Sequence, residues 1–387
     1  MNDPHTVLIG DSRETLKTLQ AESVHCVVTS PPFFRLRDYR VLGQIGNEPS
    51  VHDYLDSLCA VFSEVSRVLR PDGTLWLELG DTYDGWGGRA LQRLKHKSSR
   101  TWGAKLIERE KALLGMPWRL AFALADRGWL LRAEIVWHKP NAMPESAQDR
   151  PTRAHTTVFL FSRKPRYYYD PDGWREQCAE GSGARTVSDR AKLVEHGDGK
   201  ANESFYTSTA GRVETRNART VWSIPTAPYH GPHAAAFAPE IPRRAILLGT
   251  SERGCCPSCG VPWRRLVRVE GGSKRSRREL GETQRARSFG GPAQSLSHRG
   301  HHDSAIRQRI TEGWSQDCGC AAQEPVPCTV LDPFAGTGTT GMVAGWLERK
   351  SVLCELDEEC RSLIAERLKT PRPGVEAEDP RQLRLAM

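Results

Sequence analysis

The stretch Asp332-Pro333-Phe334-Ala335-Gly336-Thr337-Gly338-Thr339-Thr340 constrains this chain more than any other. It lies between an apolar run at 328–331 and a helical pattern over 340–348, so it reads as the turn of a strand–turn–helix corner. Glycines at such a corner tolerate positive φ and let a ligand approach the backbone closely. A phosphate-binding loop is excluded. The spacing from Gly336 to Gly341 fits one, but Met342 and Val343 follow where that loop needs lysine and a hydroxyl residue. Glu355 closes the next apolar run, where a carboxylate accepts both ribose hydroxyls of a nucleoside. Together with Asp332 and Phe334 it suits an adenosyl group without phosphates.

The rest of the chain repeats this alternation. Strands are expected at 6–9, 25–29, 74–79, 133–137, 157–161, 328–331 and 351–354, and helices at 12–20, 51–69, 104–126, 239–248, 340–348 and 358–368. Pro71-Asp72-Gly73 is read as the stop of the second helix, and Gly115 and Pro117 as breaks in the third. Strands alternating with helices argue for a mostly parallel sheet covered on both faces. Residues 178–217 and 271–309 lose the pattern, and order returns at 221–224. The second of these segments holds nine Lys or Arg against three acids, which reads as a solvated linker in preference to a DNA-gripping arm.

Composition narrows the partners. The net charge of +8 favours a polyanion, since clustered Lys and Arg release counterions from phosphates, although a merely basic surface gives the same number. No run is long and apolar enough for a membrane span, and residues 1–10 lack a basic stretch followed by an apolar core, so a cytoplasmic protein is expected. Mean hydropathy of −0.54 with 34 Gly and 25 Pro agrees with substantial loop content.

Thr29-Ser30-Pro31-Pro32-Phe33 leaves the end of a buried strand, where open α/β sheets place ligands. An exocyclic amine on cytosine or adenine is a poor nucleophile because its lone pair is delocalised into the ring. Hydrogen bonds from its two N–H groups to Ser30 and to the Pro31 carbonyl would draw the nitrogen towards tetrahedral geometry. The lone pair would then face a methyl group for direct displacement, chiefly a matter of positioning. Pro31 and Pro32 fix the carbonyl, and Phe33 offers a flipped base an aromatic face.

These residues resemble the β class of amino-methylating DNA methyltransferases, with Ser-Pro-Pro at Ser30–Phe33 and the Phe-x-Gly-x-Gly motif at Phe334–Gly338. The likeness extends to Gly10-Asp11, to 69–73, to Trp137-His138-Lys139-Pro140-Asn141 and to 233–240. The resemblance implies an α/β, Rossmann-like fold that uses S-adenosyl-L-methionine, with a seven-stranded, mostly parallel sheet and a circularly permuted motif order. It implies a catalytic half at 1–175, a variable segment with target-recognition potential at 176–220 and a helix bordering the methionine end of the cofactor at 221–254. A zinc-ribbon-like insertion at 255–322, the cofactor half at 323–370 and a tail at 371–387 complete the division. Cofactor contacts are expected from Asp11, Asp332, Pro333, Phe334, Gly336, Gly338, Thr339, Thr340, Glu355 and Asp357, with Asp11 and Asp357 near the adenine. Serine before the prolines resembles the cytosine-N4 enzymes more than the adenine-N6 enzymes. Double-stranded DNA is the implied substrate, and a homodimer and a cognate restriction endonuclease are candidate partners. Ala234–Ala236 departs from the polar stretch expected there.

Eleven cysteines in a chain without a secretion signal argue against a disulfide framework. Cys256-Pro257-Ser258-Cys259-Gly260 has the form of a zinc knuckle, and Cys318-Gly319-Cys320 supplies a second pair. Free thiols are the bland alternative. Cys255 is a substitute for Cys256, and His301 or His302 for one thiolate, whereas Cys26, Cys59, Cys328 and Cys354 read as small core residues. Base-reading residues are sought in 86–100, 138–153 and 178–219, each of which also fits a solvated loop. A nucleic-acid-binding protein with an inactive fold is the rival from another class, and the intact Ser30–Phe33 and Asp332–Gly338 stretches speak against it.

Overall fold

The computed structural model describes residues 4–84, 111–178, 214–227, 238–270 and 308–373. In chain order these form β1 (His5–Ile9), α1 (Ser12–Thr15), β2 (Val24–Thr29), α2 (Val51–Val68), β3 (Leu69–Leu79), α3 (Met116–Ala125), β4 (Leu130–His138) and β5 (His155–Ser162). There follow β6 (Arg175–Gln177), β7 (Thr215–Asn217), β8 (Val221–Ser223), α4 (Glu240–Gly249), β9 (Arg264–Glu270) and β10 (Gln308–Ser315). The last elements are β11 (Thr329–Asp332), α5 (Thr339–Trp346), β12 (Lys350–Glu355) and α6 (Cys360–Arg367).

The main sheet runs β1-β12-β11-β2-β3-β5-β4-β8. All neighbours pair in parallel except at β5, which is antiparallel to both β3 and β4. The seven expected strands are all present, and the three-residue β8 extends the sheet beside β4 as an eighth. At its centre β11 lies against β2, with Val330 opposite Cys26 and Leu331 opposite Val27. The end of the chain is thereby inserted next to its beginning, as the permuted motif order requires.

Burial explains the local choices. All six residues of β2 are buried, as expected of a strand covered on both faces. Helix α2 begins where the Ser50 hydroxyl accepts from the Asp53 amide at 3.0 Å. Its inward stripe, Tyr54, Leu58, Val61, Phe62 and Val65, is fully buried against the sheet.

Two local readings are corrected. Pro71-Asp72-Gly73 is no turn, because β3 takes over directly from α2 and passes through it. The β2–β3 pairing shifts register between Val24 and Cys26, an irregularity that accommodates a residue without an N–H. Gly73 is required there, since a Cβ would lie 2.5 Å from Leu69 Cδ1 and 2.9 Å from the His25 carbonyl oxygen. The third helix starts at Met116 because Gly115 adopts a φ of 70° and Pro117 occupies the first turn. Asp81 accepts from the amides of Gly115 at 3.1 Å and Met116 at 2.8 Å, so it caps this helix. Residues 104–110 of the expected helix lie outside the described residues.

The chain divides into two compact units, one of 1–174, 219–264 and 316–387, the other of 175–218 and 265–315. The first contains the main sheet. The second contributes β6 paired antiparallel with β7, and in it Arg265 stacks over the Trp314 ring at 4.3 Å. β9 pairs with β10 in a second ribbon, and the two ribbons border the segments 178–217 and 271–309 in which the pattern is lost. Among the described residues no helix is long and apolar enough to cross a membrane.

Candidate active site

A cavity opens at the carboxyl ends of β11, β12, β1 and β2, the position at which α/β sheets bind ligands. Its wall includes Asp11, Ser30, Pro32, Phe334, Glu355 and Asp357, so the structure brings two residues of the expected catalytic tetrapeptide, though not Pro31 or Phe33, to the wall beside the glycine corner. Pro333 and Gly336 also line it. Glu355 accepts from the Gly336 amide at 2.6 Å and the Asp357 amide at 3.0 Å, which ties the glycine corner to the end of β12. Burial pushes the Glu355 carboxyl up, opposed by those two amides. Asp11 is held down by the Arg13 guanidinium and caps α1 through the Arg13 amide at 2.8 Å.

Four expected contact residues stand behind the wall. Asp332 is fully buried, and its carboxyl accepts from Thr29 Oγ1 at 2.7 Å, Thr340 Oγ1 at 2.7 Å and the Phe334 amide at 3.0 Å. Gly338, with a φ of 81°, caps α5, and Thr339 and Thr340 point into the core. These residues shape the corner from beneath, and do not line the cavity. The 233–237 part of the resemblance, with Ala234–Ala236, lies outside the described residues. Helix α4 follows it and packs by Gly249 against Thr74, Cys26 and Trp76.

Around the tetrapeptide the hydrogen bonds sort the acceptors. Ser30 Oγ donates to Glu78 Oε2 at 2.5 Å, which leaves the serine oxygen's lone pairs to accept. Glu78 is itself buried near the end of β3. The Pro32 carbonyl is occupied by the buried Tyr54 hydroxyl at 2.8 Å, whereas the Pro31 carbonyl accepts nothing among the described residues. Ser30 Oγ and Pro31 O are therefore two acceptors close together at one strand end. Phe33 lies on Gly80, where a Cβ would come within 2.3 Å of the ring. Lys139 holds its ammonium 4.1 Å over the Trp137 ring, with its pKa lowered by burial and raised by the Glu78 charge.

Glu78, Gly80 and Lys139 were not assigned from the sequence. Glu78 sits in an apolar run and is defined only by its partner, while Gly80 reads as an ordinary strand end. The far wall, Tyr39, Val41, Gly43, Gln44 and Ile45, was missed as well. Its one signal was position, since it follows the catalytic tetrapeptide directly.

The cysteine pairs meet in space. The sulfurs of Cys256, Cys259, Cys318 and Cys320 all lie within 4.8 Å of one another. Cys255 turns instead to His25 and Cys328. Both His25 ring nitrogens are engaged, by the Gly260 carbonyl at 2.9 Å and the Thr329 amide at 3.0 Å, so the knuckle is pinned to the base of β2. Arg70 adds a bond to the Cys259 carbonyl at 2.7 Å. Cys26, Cys59, Cys328 and Cys354 are buried core residues, and His301 and His302 lie outside the described residues.

Comparison with known proteins agrees with this arrangement. A family described as DNA methylase matches residues 24–256 and 327–366, and the chain belongs to this family of N6/N4 amino-methyltransferases. A Type II methyltransferase, M.SmaI of Serratia marcescens, is 32% identical over 94% of this chain and 90% of its own length. Type II methyltransferase M.Cfr9I of Citrobacter freundii is 40% identical over 63% of this chain and 72% of its own. The solved PvuII DNA methyltransferase (cytosine-N4-specific) covers 96% of this chain and 90% of its own with a TM-score of 0.51, and at 17% identity it shares the fold.

Two outcomes are expected. Replacing Gly80 by Ala pushes the Phe33 ring off its seat and lowers methyl transfer by about tenfold or more, while cofactor affinity, read by calorimetry, is kept. Burial raises the Asp332 carboxyl from 3.8 to about 6, against the three donors. The folded chain then keeps a proton that the unfolded chain has released between these pH values, so stability from this group falls as pH rises through the window. The unfolding free energy of wild type minus that of Asp332→Asn therefore decreases from pH 3.8 to about 6 and is flat above. Denaturant titrations across pH check this, and a difference that grows with pH would contradict it.

Proposed function

We propose that this chain is a site-specific DNA methyltransferase that transfers a methyl group from S-adenosyl-L-methionine to the N4 amino group of cytosine in duplex DNA. The single observation that carries the reading is Ser30, its hydrogen committed to Glu78, beside the open Pro31 carbonyl at the mouth of the cavity.

Three carboxylates, Asp11, Glu355 and Asp357, line the cavity. Such a wall repels phosphates and suits a ligand with a ribose and positive charge. S-adenosyl-L-methionine supplies an electrophilic methyl group on a sulfonium sulfur. Glu355 retains lone pairs for ribose hydroxyls, and Phe334 offers its face to the adenine. Ser30 Oγ and Pro31 O accept the two N–H groups of the flipped cytosine and turn its nitrogen towards the cavity. Phe33 stacks on the ring, and this alignment does most of the work: the N–CH3 bond would form as the S–CH3 bond breaks and the thioether leaves, and one N–H proton would depart towards Ser30 and its partner Glu78. The Type II relatives support placing the enzyme beside a restriction endonuclease, and a homodimer stays a candidate partner state from the family resemblance alone. Mass spectrometry of nucleosides from treated duplex DNA is expected to give N4-methylcytosine; N6-methyladenine alone would overturn the choice of base. Ser30→Ala is expected to lower kcat by about a hundredfold, as loss of a positioning hydrogen bond does, with cofactor affinity unchanged.

Cys256, Cys259, Cys318 and Cys320 are further proposed to hold a structural zinc ion. Four thiolates from two tight loops fit a closed tetrahedral site and leave no position for a reacting ligand. Metal analysis should find zinc in wild type and none in Cys259→Ser/Cys320→Ser, whose melting temperature falls while the Ser30–Glu78 chemistry is untouched. Full zinc content in the double variant would refute the site.

A further inference from the structure

Leu42 is 98% exposed, the most exposed large apolar side chain among the described residues. It is no random loop residue. The Gln44 amide donates to the Val41 carbonyl at 3.2 Å, and Gly43 adopts a φ of 84°, so Leu42 sits at the tip of a tight turn. The turn is braced from both sides, by the Tyr39 amide on Gln44 Oε1 at 2.8 Å and by the Gly46 amide on Glu48 Oε2 at 2.8 Å. Its neighbours Val41, Gly43 and Gln44 line the cofactor cavity, while the Leu42 side chain stands in solvent. Arg37 and Arg40 flank it, both exposed and without an ion pair among the described residues. A rigid loop that starts at the catalytic tetrapeptide thus carries an apolar tip between two cations.

We propose that Leu42 is the wedge that enters the duplex and fills the stack when the target base is flipped into the site, with Arg37 and Arg40 seated on the flanking phosphates. This inference rests on the reading of the chain as a base-flipping DNA methyltransferase. Extruding a base leaves a gap whose neighbours lose their stacking, and an apolar side chain of this size restores part of the contact. The wedge matters only where a pair must be broken. A base already unpaired needs less help, which separates a flipping role from a general binding role.

The test measures methylation of two duplexes that differ only opposite the target base, one with its normal partner and one with an abasic site. Leu42→Ala is expected to lower kcat/KM on the paired duplex by about tenfold and to leave the abasic-opposed duplex within about twofold of wild type. Leu42→Met, which keeps an apolar side chain of similar reach, is expected to recover most of the loss. Phe122→Ala, at a side chain 58% exposed on α3 and outside every segment considered for base reading, serves as the control and should not discriminate between the duplexes. Equal losses on both duplexes, no loss on either, or the same discrimination in Phe122→Ala would each overturn the wedge. Wild-type protein that methylates neither duplex would instead overturn the function on which the inference rests. Because Leu42 packs on nothing, its substitution leaves the fold intact, and unchanged melting confirms that the comparison is of folded enzymes.

Discussion

The Asp332 carboxyl joins the two halves of this enzyme. It sits at the end of β11 with no exposure to solvent, holding Thr29 from β2, Thr340 from α5 and the first amide of the glycine corner. Thr29 is the residue before Ser30, so the group that shapes the glycine corner also fixes the strand that leads into the proposed catalytic serine. A buried carboxyl with three donors is expensive to ionise and more expensive to strip of its partners. Within the sheet this clamp spans 303 residues of sequence and replaces what a continuous chain would otherwise supply.

Around the clamp, acceptors are allocated with little redundancy. Glu78 takes the Ser30 hydrogen and Tyr54 takes the Pro32 carbonyl, so one serine oxygen and one proline carbonyl remain to meet an amino group. Glu355 spends part of its capacity on the backbone of the glycine corner, which fixes that wall of the cavity. Outside the chemistry, His25 and Arg70 fasten the cysteine knuckle to the starts of β2 and β3, the strand ends opposite the cavity.

Much of this was legible beforehand, for physical reasons that differ from part to part. The strands at 25–29 and 328–331 are short apolar runs stopped by proline or glycine, and a parallel sheet buried on both faces leaves no other reading. Ser30–Phe33 and the glycine corner are contiguous in sequence and could be recognised whole. The contributions of Glu78 and Gly80 depend on partners 48 and 47 residues away, Ser30 and Phe33, which no local pattern encodes. Pro71 misled because proline and glycine usually end elements, and only the bulged pairing with β2 lets a strand absorb them. Asp332 and Thr340 were placed on the right corner but a layer too shallow, since motif spacing reports position along the chain and not the side to which a side chain turns.

The insertion of β11 between β2 and β12 also has a consequence for how the enzyme comes into being. During synthesis the strand bearing Ser30 emerges early, yet the edge against which it must pair is made only after 303 further residues. Until then β2, buried along its whole length in the folded chain, has one side of its backbone unmatched, and the nascent chain exposes an aggregation-prone edge. Closure of so long a loop is slow. The cavity at the carboxyl ends of these strands therefore takes shape late and all at once, when β11 pairs with β2 and brings the glycine corner beside Ser30.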